Sequence, residues 1–313
     1  MRLMLDRLRA VRLVAFISLA ELLILSFVGG LVSGLGQGFD LGIEWPSEPV
    51  KLIRALLQGS LEPLHRILTV LSAPFLVILA IMVSSVRRSY PFILFSSLLS
   101  ILFLTLTAIT GRMILLALGG YIEQPMASLT YSLNNLLATL TIGSVAMVTG
   151  ILDHGLRVKI SEERRIAVIL HRGASAWGLI AAFLGAYMLG YTKTTQQPLP
   201  SDLFSLSISS AIDIILKAHV LSGLIAVLLT LAAYALRKSR DAWSTAALIA
   251  SLFQPLLGLA LLYRASHYAW APGIYLPLHL IAAQVIIIGN ATPYLLYLYN
   301  RVTPGNIPGR TTY

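Results

Sequence analysis

The sequence Glu62-Pro63-Leu64-His65-Arg66 stands at the junction between a polar segment and the apolar run from Ile67 to Val86. Proline suits the first turn of a helix, where its missing N–H would have no intrahelical partner, so we expect a helix to begin here. In that helix Glu62 and His65 lie on one face, and Arg66 follows Glu62 by four positions, the spacing of an ion pair. Ionisable side chains at the mouth of a membrane-spanning helix are costly and usually functional. This turn is the first candidate for a functional site.

The composition is typical of an integral membrane protein. Of the 313 residues, 57% are hydrophobic and 12% are charged, whereas a soluble domain carries about 25% charged residues. The chain has no cysteine, which excludes disulfides, thiolate metal sites, iron–sulfur clusters and thioether attachment of haem. The formal net charge is +10, but the basic residues lie between apolar runs, as they do in cytoplasmic loops. We therefore expect a lipid bilayer as the environment, and no nucleic acid as a partner.

Eight apolar windows are long enough to cross a bilayer as helices. We number them as spans 1 to 8, at residues 13–36, 64–86, 90–118, 127–151, 166–191, 208–236, 243–264 and 274–299. The Arg-bearing segment before span 1 is followed by no small-residue cleavage site, so we interpret span 1 as an uncleaved helix rather than a signal peptide.

Basic residues concentrate on one side of these spans, before span 1 and after spans 2, 4, 6 and 8. By the positive-inside rule this distribution predicts that both termini are cytoplasmic. The residues concerned are Arg2, Arg7, Arg9, Arg12, Arg87, Arg88, Arg157, Lys159, Arg164, Arg165, Arg237, Lys238, Arg240, Arg301 and Arg310.

The two halves of the chain resemble one another at an offset of about 150 residues. Matching features follow in the same order: Phe27 to Val32 with Phe183 to Tyr187, His65 with His219, and Thr107 to Gly111 with Gln254 to Gly258. Corresponding spans run in the same direction, so the repeats are parallel rather than inverted. The sequence thus predicts an all-α integral membrane protein of two tandem, pseudo-symmetric four-helix bundles, residues 1–155 and 156–313.

Three histidines lie in the outer halves of their spans: His65, His219 and His279. The last two occupy spans 6 and 8, which run in the same direction within the second bundle, so their side chains can face one another at similar depth. Two opposed imidazoles inside a four-helix bundle are the arrangement that ligates a low-spin b-type haem. The alternative is that each ring makes an interhelical hydrogen bond. Gly223 leaves room for a flat macrocycle, which favours the haem.

The first bundle has His65 but no histidine in span 4, where the repeat would place one. The sequence there is Thr130-Tyr131-Ser132, with Asn134 and Asn135 just below; these amides either hydrogen-bond between helices or belong to the site. One strong ligand near a carboxylate suits a bound, reacting haem better than a permanently bis-ligated one. Arg112 in span 3 needs an acid or a haem propionate nearby, because an isolated arginine within the membrane is costly.

Together these motifs resemble the haem A synthase family over about residues 13–300. The most specific parts are Gly30-Leu31-Val32-x-Gly34-x-Gly36, Glu44-Trp45-Pro46 and Glu62-x-x-His65-Arg66, followed by His219, Gln254-x-x-x-Gly258 and His279. The resemblance implies an enzyme that oxidises the C8 methyl of haem O to a formyl group, giving haem A for respiratory terminal oxidase assembly. Two features depart from the family pattern: the cysteine pair of the first outer loop and the span-4 histidine are both absent.

The resemblance also implies roles for individual residues. His219 and His279 would be the axial ligands of a haem b cofactor, and His65 would ligate the iron of haem O. Glu62 and His65 would be catalytic, with Glu62 taking up protons or stabilising a developing positive centre. The residues implied in binding the substrate haem are His65, Arg66, Arg112 and Tyr131.

Partners and location follow from the same resemblance. We expect a prenyltransferase that supplies haem O, a membrane electron acceptor, and the plasma membrane of a prokaryote. The sequence leaves the oligomeric state open, a homo-oligomer included.

Two other functions stay open. A non-catalytic b-type haem protein, acting as an electron carrier or oxidase assembly factor, would have the same bundles and would explain the missing span-4 histidine. A transporter would place polar groups at the membrane midplane, whereas here they gather in the outer third, with Glu21 of span 1 as the exception. A prenyltransferase is disfavoured because the chain lacks the aspartate-rich turns that bind diphosphate and Mg²⁺.

Overall fold

The computed structural model describes residues 2–45, 47–88, 90, 92–153, 160, 163–200, 202–203, 207–238 and 240–302, with only the backbone of residues 2–5. Within these ranges the chain forms nine α-helices and no strand. Eight of the helices are long and apolar enough to cross a membrane. The structure is that of a multi-pass α-helical membrane protein, as the composition predicts.

We number the helices in chain order as α1 Arg2–Gly34, α2 Pro49–Leu57, α3 Glu62–Ser84, α4 Ile93–Leu118, α5 Met126–Leu152, α6 Arg165–Thr195, α7 Ala211–Leu236, α8 Ala242–His267 and α9 Tyr275–Val302. Span 1 corresponds to α1 and spans 2 to 8 correspond to α3 to α9. Most boundaries agree to within a few residues. α1 begins earlier than span 1 because the Arg-bearing N-terminal segment continues the same helix.

The short helix α2 was not predicted from the sequence. Pro49 stands in its first turn and Arg54 in its last, the positions that these residues favour. Val50, Ile53 and Leu57 are exposed apolar residues on it. A helix of this kind, with exposed apolar and basic side chains, is suited to lie along a membrane surface.

Each half of the chain contains a closed ring of helix contacts. In the first half α1 packs on α3, α3 on α4, α4 on α5, and α5 back on α1. In the second half the same sequence of contacts joins α6, α7, α8 and α9, and α9 returns to α6. The halves meet where α5 packs on α6 and where α1 and α5 pack on α9.

Glycines allow the closest approaches between the halves. A Cβ atom added to Gly30 of α1 would lie 2.8 Å from Cα of Pro277 in α9, and the Gly273 amide donates a 2.7 Å hydrogen bond to the Gly34 carbonyl. A Cβ on Gly190 of α6 would lie 2.8 Å from Cα of Ser128 in α5. Small residues are enriched at such helix contacts in membranes. Two glycines of the Gly30-x-x-x-Gly34 motif therefore have a packing role.

The largest apolar cluster lies away from the Glu62–His65 turn. It includes Leu22 of α1, Leu76 and Val83 of α3, and Ile142 and Val145 of α5, all buried. On α3 these residues come more than ten positions after His65, so the core fills the far end of the first half. The polar side chains near the start of α3 are left at the other end.

Candidate functional site

Three imidazoles each lie against a glycine of a neighbouring helix. A Cβ atom added to Gly29 would lie 2.9 Å from Cε1 of His65, and one added to Gly185 would lie 2.9 Å from Cε1 of His219. The Cβ of a substituted Gly258 would lie 3.2 Å from Cε1 of His279. Real Cβ contacts are rarely this short, so the glycines are required for the present position of the rings.

A backbone carbonyl accompanies each of these glycines, four residues earlier in the chain. The Ala181 carbonyl is 2.8 Å from Nδ1 of His219. Because a carbonyl can only accept, Nδ1 carries the proton and Nε2 keeps a free lone pair. The rings of His65 and His279 lie beside the carbonyls of Leu25 and Gln254, although their buried Nδ1 atoms do not complete a hydrogen bond.

This pattern matches the supporting groups of metal-bound histidines. Such a ligand usually donates its second ring N–H to a carbonyl or carboxylate, which fixes the tautomer and the orientation of the ring. His219 has that arrangement in full, and His65 and His279 have its parts in place.

His219 and His279 form a pair across the second half. Their ring centroids are 6.1 Å apart and their planes are inclined at 58°. Two imidazoles that share one metal ion at the usual metal–nitrogen distance of about 2.0–2.1 Å have centroids about 6 Å apart. Both rings are half-buried. The residues present therefore fit a haem iron held between α7 and α9, and ligation of a haem by this pair stays a prediction.

Gln254 lies beside this pair. Its Nε2 donates a 3.2 Å hydrogen bond to the His279 carbonyl, while its Oε1 atom is buried without a hydrogen-bond partner. It thus fixes α8 to α9 next to the imidazole.

Glu62 and Arg66 form the buried ion pair that their spacing predicts. Oε1 of Glu62 accepts hydrogen bonds from Nε and Nη2 of Arg66 at 3.1 and 2.5 Å. Its Oε2 accepts from the Leu41 amide at 2.9 Å. Only 3% of Glu62 is exposed. Both carboxylate oxygens are therefore occupied within the protein.

Arg66 also binds the loop that follows α1. Its Nη1 donates to the Glu44 carbonyl at 2.5 Å and to Oγ of Ser47 at 2.6 Å, and its Nη2 donates to the Gly42 carbonyl at 3.3 Å. The pair holds residues 41–45 and 47 against the start of α3. Pro46 of the Glu44-Trp45-Pro46 motif lies outside the described residues, and so do Arg157, Lys159 and Arg310 of the charge pattern.

Glu44 makes a second, exposed ion pair above this loop. The Lys51 ammonium hydrogen-bonds Oε2 of Glu44 at 2.7 Å. That contact lowers the pKa of the Glu44 carboxyl and raises the pKa of Lys51.

Asn134 occupies the position that corresponds to His279, which corrects the placement of Tyr131 or Ser132 there. Its Nδ2 donates to the Thr107 carbonyl at 2.8 Å, and a Cβ on Gly111 would lie 3.6 Å from it. In the second half the His279 ring likewise lies against Gly258 and beside the Gln254 backbone carbonyl. The hydrogen-bonding alternative proposed for Asn134 is therefore confirmed.

Tyr131 and Ser132 face α6 instead. The Tyr131 ring lies where a Cβ on Gly190 would be 2.9 Å from its Cδ2 atom, and Ser132 Oγ donates to the Phe183 carbonyl at 2.9 Å. Gly190 leaves the space that this large ring fills, which turns Tyr131 away from α4. Contact between Tyr131 and a substrate haem stays a prediction.

Arg112 on α4 has a guanidinium nitrogen in need of an acceptor. Its Nη1 atom is buried without a hydrogen-bond partner, and the residue follows Gly111, which faces Asn134. An unpaired cationic donor within a membrane is costly. An anionic group on a bound ligand would satisfy it.

A cavity of about 370 Å³ opens near the start of α9. Its lining includes Arg264, Tyr263 and Tyr275, the last of which lies one turn before His279. The Arg264 guanidinium stacks over the Tyr268 ring at 4.3 Å. On α7, Lys217 forms an ion pair with Asp213 at 3.0 Å.

No cluster of three or more metal-binding side chains occurs in the part of the chain that the structure describes. Axial ligation of a haem needs only one or two protein ligands.

The comparison with protein-family models found no match to this chain, and the comparison with curated proteins found none either.

Proposed function

We propose that the chain is a membrane oxidoreductase of the haem A synthase type, which holds haem b between His219 and His279 and receives haem O at His65. The observation that carries this proposal is the His219–His279 pair, with ring centroids 6.1 Å apart and each ring set against a glycine. A metal-free pair of interhelical hydrogen bonds would not require two imidazoles at that separation.

The proposed architecture is two tandem four-helix bundles, residues 1–155 and 156–313, with both termini in the cytoplasm. The two closed rings of helix contacts support it. So does the repeated unit of carbonyl, glycine and histidine: Leu25, Gly29 and His65 in the first half correspond to Ala181, Gly185 and His219 in the second.

In the second half the chain's own residues hold and orient the cofactor. His219 and His279 would hold the haem iron through ring nitrogens, and the Ala181 carbonyl fixes the tautomer of His219 so that Nε2 is free to bind. A haem bound there supplies one-electron transfer.

In the first half His65 offers one strong ligand and Arg112 offers a donor to an anionic group such as a propionate. Asn134 takes the place of a second histidine, so this site lacks a second strong axial ligand. Glu62 and Arg66 close the outer end by holding the loop through Leu41 and Glu44. The catalytic role of Glu62 would require its hydrogen bonds to rearrange when substrate binds.

The reaction expected from the resemblance is oxidation of the C8 methyl of haem O to a formyl group. The formyl oxygen would come from water, and the four electrons and four protons released would pass to a membrane electron acceptor and to the aqueous phase. A prenyltransferase would supply the substrate in the plasma membrane of a prokaryote. The residues of the first half would bind and orient the porphyrin.

Expression together with a haem O source tests the proposal. The purified protein should contain haem A or its hydroxylated precursor and show a six-coordinate low-spin signal by electron paramagnetic resonance. His219→Ala and His279→Ala should each abolish that signal, whereas His65→Ala should keep it and lose the conversion. A colourless protein obtained with ample haem would contradict the proposal.

A second candidate is a non-catalytic b-type haem carrier of the same fold. The asparagine at position 134 and the fully occupied Glu62 carboxylate favour it. The same pigment extraction separates the two functions, because a carrier would yield haem B alone.

A further inference from the structure

Glu21 is an acidic residue in the middle of α1. It lies 13 residues before Gly34, the last residue of that helix, or about 20 Å at 1.5 Å per residue. Its Oε2 atom is buried without a hydrogen-bond partner. An acid at this depth is expensive to maintain, and such residues are usually functional.

The hydrogen bonds around Glu21 favour a protonated carboxyl group. Oγ of Ser72 lies 2.6 Å from Oε1 of Glu21 and 2.9 Å from the Leu68 carbonyl. A serine hydroxyl has one proton and cannot donate to both oxygens. Both contacts are satisfied when Ser72 donates to Leu68 and the Glu21 carboxylic acid donates to Ser72.

The absence of a cation near Glu21 agrees with this state. The helices α3, α5 and α9 pack against α1, and no charged or titratable side chain on their described parts interacts with Glu21. Glu62, a buried acid near the start of α3, is by contrast paired with Arg66 at 2.5 Å. A membrane interior favours the neutral form of an unpaired acid.

Glu21 shares its helix interface with His65. Leu25, whose carbonyl lies beside the His65 ring, follows Glu21 by four positions and so lies on the same face of α1. Ser72 follows His65 by seven positions on α3, two turns or about 10 Å along the axis. A charge placed at His65 would therefore act on Glu21 through an interior of low dielectric constant.

We propose that Glu21 is a proton-exchanging counter-ion of the His65 site. With no added charge at His65 the carboxyl is neutral. When a ferric haem, whose iron–porphyrin core is cationic, binds to His65, Glu21 releases its proton to the aqueous phase and becomes a carboxylate; it binds a proton again when the iron is reduced. The nature of the ligand rests on the proposed function, whereas the protonated state of Glu21 does not.

Infrared spectroscopy of the purified chain before haem is added tests the protonated state. The carbonyl stretch of a protonated carboxylic acid should be present at neutral pH, disappear in Glu21→Gln, and shift in Ser72→Ala, which removes its hydrogen-bond partner. Glutamine can donate the same hydrogen bond, so the fold should be retained. Glu48→Gln changes an exposed acid and should leave the band unchanged. A band equally strong in Glu21→Gln would overturn the inference.

Titration with ferric haem tests the exchange. In the wild type the band should weaken as the absorbance of bound haem grows, and reduction of the iron should restore it. In His65→Ala haem should still bind to the second half without affecting the band. Haem that binds at His65 and leaves the Glu21 band unchanged would refute the counter-ion role. Failure of any haem to bind would refute the proposed function while leaving the first result intact.

Discussion

His65, His219 and His279 each lie against a glycine that has no space for a methyl group at the imidazole edge. The imidazole is the reactive group, but the missing Cβ atom determines where it lies. In the second half the result is a pair of rings at the separation of two ligands to one metal ion.

Gly185→Ala should therefore lower haem occupancy without removing a ligand. The added Cβ would lie 2.9 Å from Cε1 of His219, which forces the ring away from the Ala181 carbonyl. Loss of such supporting interactions lowers metal affinity by about 10–100-fold, and we expect a loss of this order in haem titrations followed by absorbance. Gly143→Ala is the matched control, because nothing lies within 4 Å of a Cβ there. Equal affinities in the two variants would contradict this role of Gly185.

The sequence predicts the three histidines but not the side chain at the fourth position. Tyr131 and Asn134 lie almost one turn apart on α5. This helix packs against α4 on one side and against α6 on the other. Periodicity therefore cannot decide which of the two residues faces α4. The choice depends on Gly190, whose missing side chain makes space for the Tyr131 ring on the α6 side.

At the scale of elements, the Glu62–Arg66 ion pair ties the loop after α1 to the start of α3. Arg66 donates to the Glu62 carboxylate and to groups at positions 42, 44 and 47. The four-residue spacing predicts the ion pair. The bonds to the Gly42 and Glu44 carbonyls could not be predicted, because backbone carbonyls leave no signal in the sequence.

Arg66→Ala should destabilise the protein by about 3 kcal/mol, the usual effect of leaving one partner of a buried ion pair uncompensated. Thermal unfolding in detergent, followed by circular dichroism, measures the change. Lys51→Ala removes the exposed partner of Glu44 and should leave the midpoint of unfolding almost unchanged, because exposed pairs contribute little. If the two variants unfolded at the same temperature, Arg66 would not hold the loop.

The length and apolar content of the spans explain why all eight long helices could be predicted. A bilayer requires about 20 apolar residues per helix. Only α-helices and closed β-barrels satisfy all backbone hydrogen bonds within lipid. The helix α2 was not predicted because its nine residues are too short to span a bilayer. Its signal was present in Pro49, in the apolar residues Val50, Ile53 and Leu57, and in the basic residues between them.

For the whole molecule, each histidine site lies within one of the two closed rings of helix contacts. Glu62 and Tyr275 begin α3 and α9 at the same end of the helices. In both halves the histidines lie toward that end. The large apolar cluster fills the opposite end of the first half. Both proposed haem sites would therefore open to the same side of the membrane, which is the outer side if the termini are cytoplasmic.

Because the chain has no cysteine, single cysteines can map that orientation without background labelling. Arg88→Cys and Arg240→Cys, at exposed positions after α3 and α7, should be shielded from a membrane-impermeant maleimide in intact cells and labelled after the membrane is opened. Glu48→Cys and Gln197→Cys, at exposed positions after α1 and α6, should be labelled from outside in both conditions. The contrast is expected because basic residues are retained on the cytoplasmic side during insertion. Labelling of Arg88→Cys in intact cells would reverse the orientation and place both histidine sites on the cytoplasmic side.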